Sequence, residues 1–181
     1  MEEGSAVNIG AFQSSTHAGT HADAPLHVTT KGAAVDDLPL SSFVGPADVI
    51  DVSGADTILP DHVAAARAPR ILFRTAVSAV PDSEWTDTFP VIAPETVELL
   101  AEQSVVLIGV DTPSVDPVDS TDLPAHHAMV RSGIVNLENL DLSGVPPGRY
   151  RLIALPIRLT GADAAPVRAV LDDGDDRVAN D

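Results

Sequence analysis

Three of the six histidines in this 181-residue chain, together with one aspartate, fall within the eleven residues HAGTHADAPLH, from His17 to His27. Imidazole and carboxylate in one short run are the donor set of zinc, manganese or iron sites. Imidazole also suits proton transfer near neutral pH. Backbone geometry decides whether the four groups can act together. On a helix, at about 100° per residue, His17 and His21 share a face while Asp23 and His27 fall on the opposite side. In an extended segment alternate residues share a face, and His17, Gly19, His21, Asp23, Pro25 and His27 are all odd-numbered. The even face reads Ala18, Thr20, Ala22, Ala24, Leu26 and Val28, small or apolar and fit to lie against a core. An extended run therefore puts the chemistry on one side. Gly19 leaves room between His17 and His21, and Pro25, with no N–H to donate, ends regular pairing and can turn His27 back toward the same point.

A lone histidine is more often a hydrogen-bonded structural residue than a ligand. Four such groups on one face would each need a separate partner when buried, whereas a divalent cation satisfies several at once. Further candidates lie in PAHHAMVRSGIVNLENL, which carries His126, His127 and Glu138. Neighbouring histidines on a helix point about 100° apart, so only one of the pair reaches a given site. Asp111, Ser114 and Asp116 in DTPSVDP are candidates both for lining a pocket and for ordinary turn chemistry. Arg74 is read either as an anchor for a substrate carboxylate or as half of a structural ion pair, and His62 as structural.

The elements that must position these residues follow from hydrophobic pattern. Ala47 to Val52, Arg70 to Val77, Val105 to Asp111, Tyr150 to Leu159 and Ala165 to Leu171 read as strands. Ala93 to Gln103 has helix-start chemistry in Pro94, Glu95 and Glu98, a second helix is expected from Leu123 to Arg131 closed by Gly133, and Pro60 to Arg67 reads as a third, shorter one. The order lacks the regular alternation of a doubly wound sheet, so the expected class is α/β or α+β with a mixed sheet. Length and even composition indicate one domain, 1–181, with flexible ends at 1–5 and 172–181.

Composition narrows the partners. With 27 acidic and 10 basic residues the net charge is -17, which excludes a nucleic-acid or anionic-membrane surface, because phosphate binding needs concentrated positive charge. The opening MEEGSAVNIG lacks the basic and apolar regions of a signal peptide, so the expected location is cytoplasmic. There is no cysteine, which removes disulfides, thiolate zinc sites and cysteine nucleophiles. No GxSxG nucleophile elbow occurs, which disfavours a serine hydrolase.

The run from His17 to His27 matches every defined position of HxGTHxDxPxH, the motif of the cyclase family, whose members include bacterial kynurenine formamidases and isatin hydrolases. GVDTPSVDPVDS (109–120), PAHHAMV, ETVELL and LENLDLSGVPPGRYRLIALPIRLTGADAAPVRAVL (137–171) resemble the kynurenine formamidase branch, so the resemblance covers nearly the whole chain. It implies the swivelling β/β/α fold with flanking helices, a homodimer, and two divalent metal ions, normally zinc, with manganese a further candidate. His17, His21 and Asp23 stand where the family holds the first metal, Asp23 bridging. His126 and Glu138 stand where it completes the second, Glu138 bridging as well, and the family's spacing fits His126 and not His127. His27 occupies the place of the catalytic proton donor and acceptor. The implied reaction is hydrolysis of N-formyl-L-kynurenine to L-kynurenine and formate. Isatin or another cyclic or aryl amide, and a non-catalytic metal-binding module, are the alternatives. The family's substrate-contacting tryptophan lies in an N-terminal segment, and the sole tryptophan here, Trp85, does not match it.

Overall fold

The computed structural model describes residues 6–81 and 84–174. Its elements are the strands β1 (His21–Asp23), β2 (Val44–Asp51), β3 (Thr57–Ile58), β4 (Arg70–Arg74), β5 (Val91–Ile92), β6 (Leu107–Val110), β7 (Val135–Glu138), β8 (Gly148–Ile153), β9 (Ala164–Pro166) and β10 (Val170–Asp172), with two α-helices, α1 (Pro94–Glu102) and α2 (Pro124–Ser132). Eight strands form one sheet in the order β10-β8-β2-β4-β6-β7-β1-β9, and β3 pairs with β5 apart from it. The centre, β2-β4-β6-β7, is parallel, and β8, β10, β1 and β9 flank it antiparallel. The chain leaving β8 then bridges Pro156 to Val167 just beyond β9. The two edges of the sheet are thus linked, and the sheet curls. This is the mixed α/β arrangement expected.

Alternation along the parallel strands sorts side chains to two cores. Ile71, Phe73, Ile108 and Val110 join Val97, Leu100, Ala128 and Met129 of the helices on one face. Leu72, Leu107, Leu137, Ala22, Phe43 and Leu152 fill the other, inside the curl. Gly109 faces that inner core, where an added Cβ would lie 2.6 Å from Leu72 Cδ2 and 2.7 Å from Leu140 Cδ1. Both leucines are held in packed surroundings, so Gly109→Ala should cost about 1–3 kcal/mol of stability by overpacking, read as a lowered midpoint in thermal or denaturant unfolding.

Both helices form as expected. Pro94 and Pro124 occupy first-turn positions, and Gly133 closes α2 in the left-handed region at φ 66°. Several strands differ from the sequence reading. The strand expected over Arg70 to Val77 stops at Arg74, where Thr75 turns the chain into a 3-10 helix and accepts a bond from the Val77 amide. Ala165 to Leu171 is two strands, β9 and β10, and the one expected over Tyr150 to Leu159 ends at Ile153. Pro60 to Arg67 yields only a 3-10 turn, Pro60–Val63. Of the ends expected to be flexible, 1–5 and 175–181 lie outside the described residues, while Asp172 is the last residue of β10.

Candidate metal centre

The extended segment expected from His17 to His27 is realised only over His21–Asp23, followed by a 3-10 turn over Pro25–His27. Three strand residues are enough for the key step. β1 pairs with β7 so that His21 faces Glu138 and Asp23 faces Asn136, which puts all four on one side of the sheet, with Ala22 and Leu137 in the inner core. Ahead of β1, Gly19 adopts a positive φ of 65° that favours glycine, and its carbonyl accepts a bond from His21 Nδ1 at 2.9 Å. The turn at Pro25 brings the His27 ring to 4.3 Å from that of His17. His17 and His27 therefore meet through folding of the chain and not through strand alternation.

The first turn of α2 supplies His126 from the opposite side. Asp116, in the loop after β6, accepts the Ala125 and His126 amides at 2.9 and 3.0 Å and the His126 Nδ1 at 2.7 Å. One carboxylate caps the helix and aims its histidine. The neighbouring His127 bonds through its amide to the carbonyl of Leu123, the residue before the helix.

The two carboxylates each divide their oxygens between two groups of histidines. Asp23 Oδ1 lies 3.2 Å from His17 Nδ1 and 3.3 Å from His21 Nε2, and its Oδ2 lies 3.5 Å from His126 Nε2. Glu138 Oε2 lies 3.5 Å from His21 Nε2, and its Oε1 lies 3.4 Å from His126 Nε2. Most of these separations exceed an ordinary N–H···O bond, about 2.7–3.2 Å. They match the spacing between two ligands of one tetrahedral ion, which is about 3.4 Å for bonds of about 2.1 Å. Three of the atoms concerned, His21 Nε2, Asp23 Oδ1 and His126 Nε2, are buried and have no hydrogen-bond partner among the described residues. Orphaned donors and acceptors aimed at one another fit a cation between them.

The far side of each of these groups is fixed. His17 Nε2 bonds Asp163 Oδ2 at 3.0 Å, and Thr16 Oγ1 donates to Asp163 Oδ1. Asn136 Nδ2 donates to both Asp23 and Glu138 at 2.9 Å, and the Val115 amide donates to Glu138 at 3.2 Å. Such outer partners fix the ring tautomer and orientation of metal-binding histidines. His27 is more exposed, with Nδ1 3.6 Å from Asp163 Oδ2.

Without a cation the cluster is strongly coupled. Burial pushes His21 toward the neutral form, but Asp23 and Glu138 outweigh it and raise its pKa to about 10. For His126, burial is likewise overcome by Asp116, Asp23 and Glu138, and its pKa rises to about 11. Burial would raise the Asp23 and Glu138 carboxyls, yet the histidines hold both below the usual carboxylate range.

At the cluster opens a cleft of about 490 Å³, whose lining includes His17, His21, His27, His126 and Glu138 together with the apolar Trp85, Phe89 and Leu123. Asp111 turns away from the ligands and is consumed by Thr75 and Ser78. Arg74 pairs with Asp51 and the Val145 carbonyl, a structural role, and His62 Nδ1 accepts the Leu59 amide. Sequence reasoning missed Asp163 and Asn136. Asn136 had a short signal, the period-two pattern of VNLE; Asp163 had none.

The chain has clear relatives among known proteins. Residues 5–117 match the family described as "Putative cyclase". The kynurenine formamidase of Salinibacter ruber is 57% identical over 179 residues, covering 97% of this chain and 84% of that protein. A solved structure described as a potential metal-dependent hydrolase with cyclase activity superposes with a TM-score of 0.80 at 32% identity, over 88% of this chain and 80% of that one. Isatin hydrolase A from Labrenzia aggregata superposes with a TM-score of 0.74 at 28% identity, over 87% of this chain and 73% of that one. The match of residues 5–117 to the family model and the identity to a curated relative over nearly the whole chain show that the chain belongs to the cyclase family.

Proposed function

We propose that the chain hydrolyses N-formyl-L-kynurenine to L-kynurenine and formate, using two divalent cations, zinc first and manganese second. His17, His21 and Asp23 would hold one, His126 and Glu138 the other, with Asp23 and Glu138 shared. The observation that carries metal hydrolysis is the set of buried, unpartnered ligand atoms spaced as donors around a cation. The substrate reading is supported by the 57% identity to a kynurenine formamidase. The likeness to an isatin hydrolase supports a cyclic aryl amide as the second reading.

Bound in this cluster, such cations supply Lewis acidity toward a carbonyl oxygen and lower the pKa of water. The chain's own part is positional and protic. The cleft admits the formyl carbon to the ligand face, and the fixed imidazoles keep that face from collapsing when substrate enters. His27, exposed on the rim and within reach of the same volume, takes a proton from the attacking water and returns one to the aniline nitrogen as the C–N bond breaks. Water thus supplies oxygen to formate and hydrogen to the amine.

Chelation should abolish formate release from N-formyl-L-kynurenine, and zinc should restore it, with bound metal counted by elemental analysis. Uptake must displace the protons that metal-free His21 and His126 hold at neutral pH, given pKa values of about 10 and about 11. Raising the pH removes that competition, so apparent zinc affinity climbs with pH and falls as the solution is acidified. Formate release that survives complete metal removal would overturn the reading.

A further inference from the structure

Aromatic residues are scarce in this chain, one Trp, one Tyr and four Phe, so where they lie is informative. Phe43 and Phe73 are fully buried in the two cores. Trp85 and Phe89 instead line the cleft that contains His17, His21, His126 and Glu138. Trp85 is 72% exposed and belongs to neither core, so folding gains little from it. An indole left in water over a ligand cluster is an unfilled contact surface, because a large ring buries 150–250 Å² when covered (an approximate range).

The cleft has a mixed lining. Imidazole and carboxylate supply part of it, while Pro113, Pro117, Val118 and Leu123 add apolar surface to that of Trp85 and Phe89. Val118 is itself 59% exposed. A ligand that fits both kinds of lining is flat and apolar over most of its length and carries a hydrolysable carbonyl at one end. We propose that Trp85, with Phe89 beside it, is the aryl-recognition wall of the site and selects amides of aromatic amines over amides of saturated amines of the same size. This rests on the site being an amide hydrolase centre, and names the part of the substrate that the wall reads. Ring stacking, unlike simple apolar burial, distinguishes a planar π-face from a saturated ring of equal bulk.

The sole tryptophan makes the test direct, since all indole fluorescence comes from Trp85. Titrating the zinc-loaded chain with acetanilide should quench that emission saturably, while N-cyclohexylacetamide, of similar size, should quench it about two- to tenfold less effectively. In parallel, Trp85→Ala should raise KM for N-formyl-L-kynurenine about tenfold with kcat little changed, and Trp85→Phe should return KM most of the way. Equal quenching by the two amides, or an unchanged KM in Trp85→Ala, would overturn the wall. A wild-type chain that fails to hydrolyse N-formyl-L-kynurenine overturns the proposed reaction instead, and the quenching comparison still decides the wall by itself.

Discussion

Asp23→Asn should leave a folded chain that has lost at least about a hundredfold in cation affinity and nearly all hydrolysis. Each Asp23 oxygen serves a different histidine group, Oδ1 at His17 and His21 and Oδ2 at His126. Asparagine keeps the shape but replaces one oxygen with an amide NH₂. Whichever way it turns, an N–H points into one half of the cluster and a negative charge is gone from both. The Asn136 amide that now donates to Asp23 Oδ2 favours the orientation with oxygen on that side, which turns the NH₂ toward His17 and His21. The first half-site should therefore lose its cation before the second. Elemental analysis and a chelator competition read the loss, and circular dichroism checks the fold. Two cations retained at full affinity, with turnover intact, would remove the shared-carboxylate arrangement.

The second large effect is expected at His27. His27→Ala should keep its metal, because the other five polar groups remain, and should lose about 10²–10⁴ in kcat as proton transfer falls to water. His27 lies on the same cleft as the ligands, with its ring 5.7 Å from that of His126, so its removal opens space without unpairing a buried atom. KM should change far less than kcat, the mark of a group needed in the transition state and not for binding. Unchanged turnover would strip His27 of its role; lost metal would make it a ligand, as its proximity to His17 and Asp23 geometrically permits.

How much of this was legible from the amino acids varies with distance along the chain. The motif exposed His17, His21, Asp23 and His27 because they are close in sequence, and the family resemblance, through its spacing to Glu138, favoured His126 over His127. The polar and apolar faces of β1 were readable as alternation, but only Ala22 and Ala24 of the even residues become buried. His17 and His27 arrive by turns at Gly19 and Pro25, which local periodicity does not register. β7 was overlooked because four residues ending in a glutamate give too short a pattern, although that glutamate is the point of the strand. Asp163 was out of reach altogether: it sits 146 residues from His17, and nothing near it marks its carboxylate for a histidine. Asp116 looked like a turn residue and is one, yet it also aims His126.

The place of β1 in the sheet has a consequence for synthesis. This strand leaves the ribosome well before its neighbours β7 and β9, and Asn136 is 113 residues downstream of the carboxylate it steadies. A nascent chain carries its HxGTHxD run unpaired until β7 and β9 have been made, so a cation shared between Asp23 and Glu138 could be captured only after that point. Contacts of such sequence separation also slow the search for the native state. If the proposed cations are bound, the pool that matters is the one available to chains that have already paired β1.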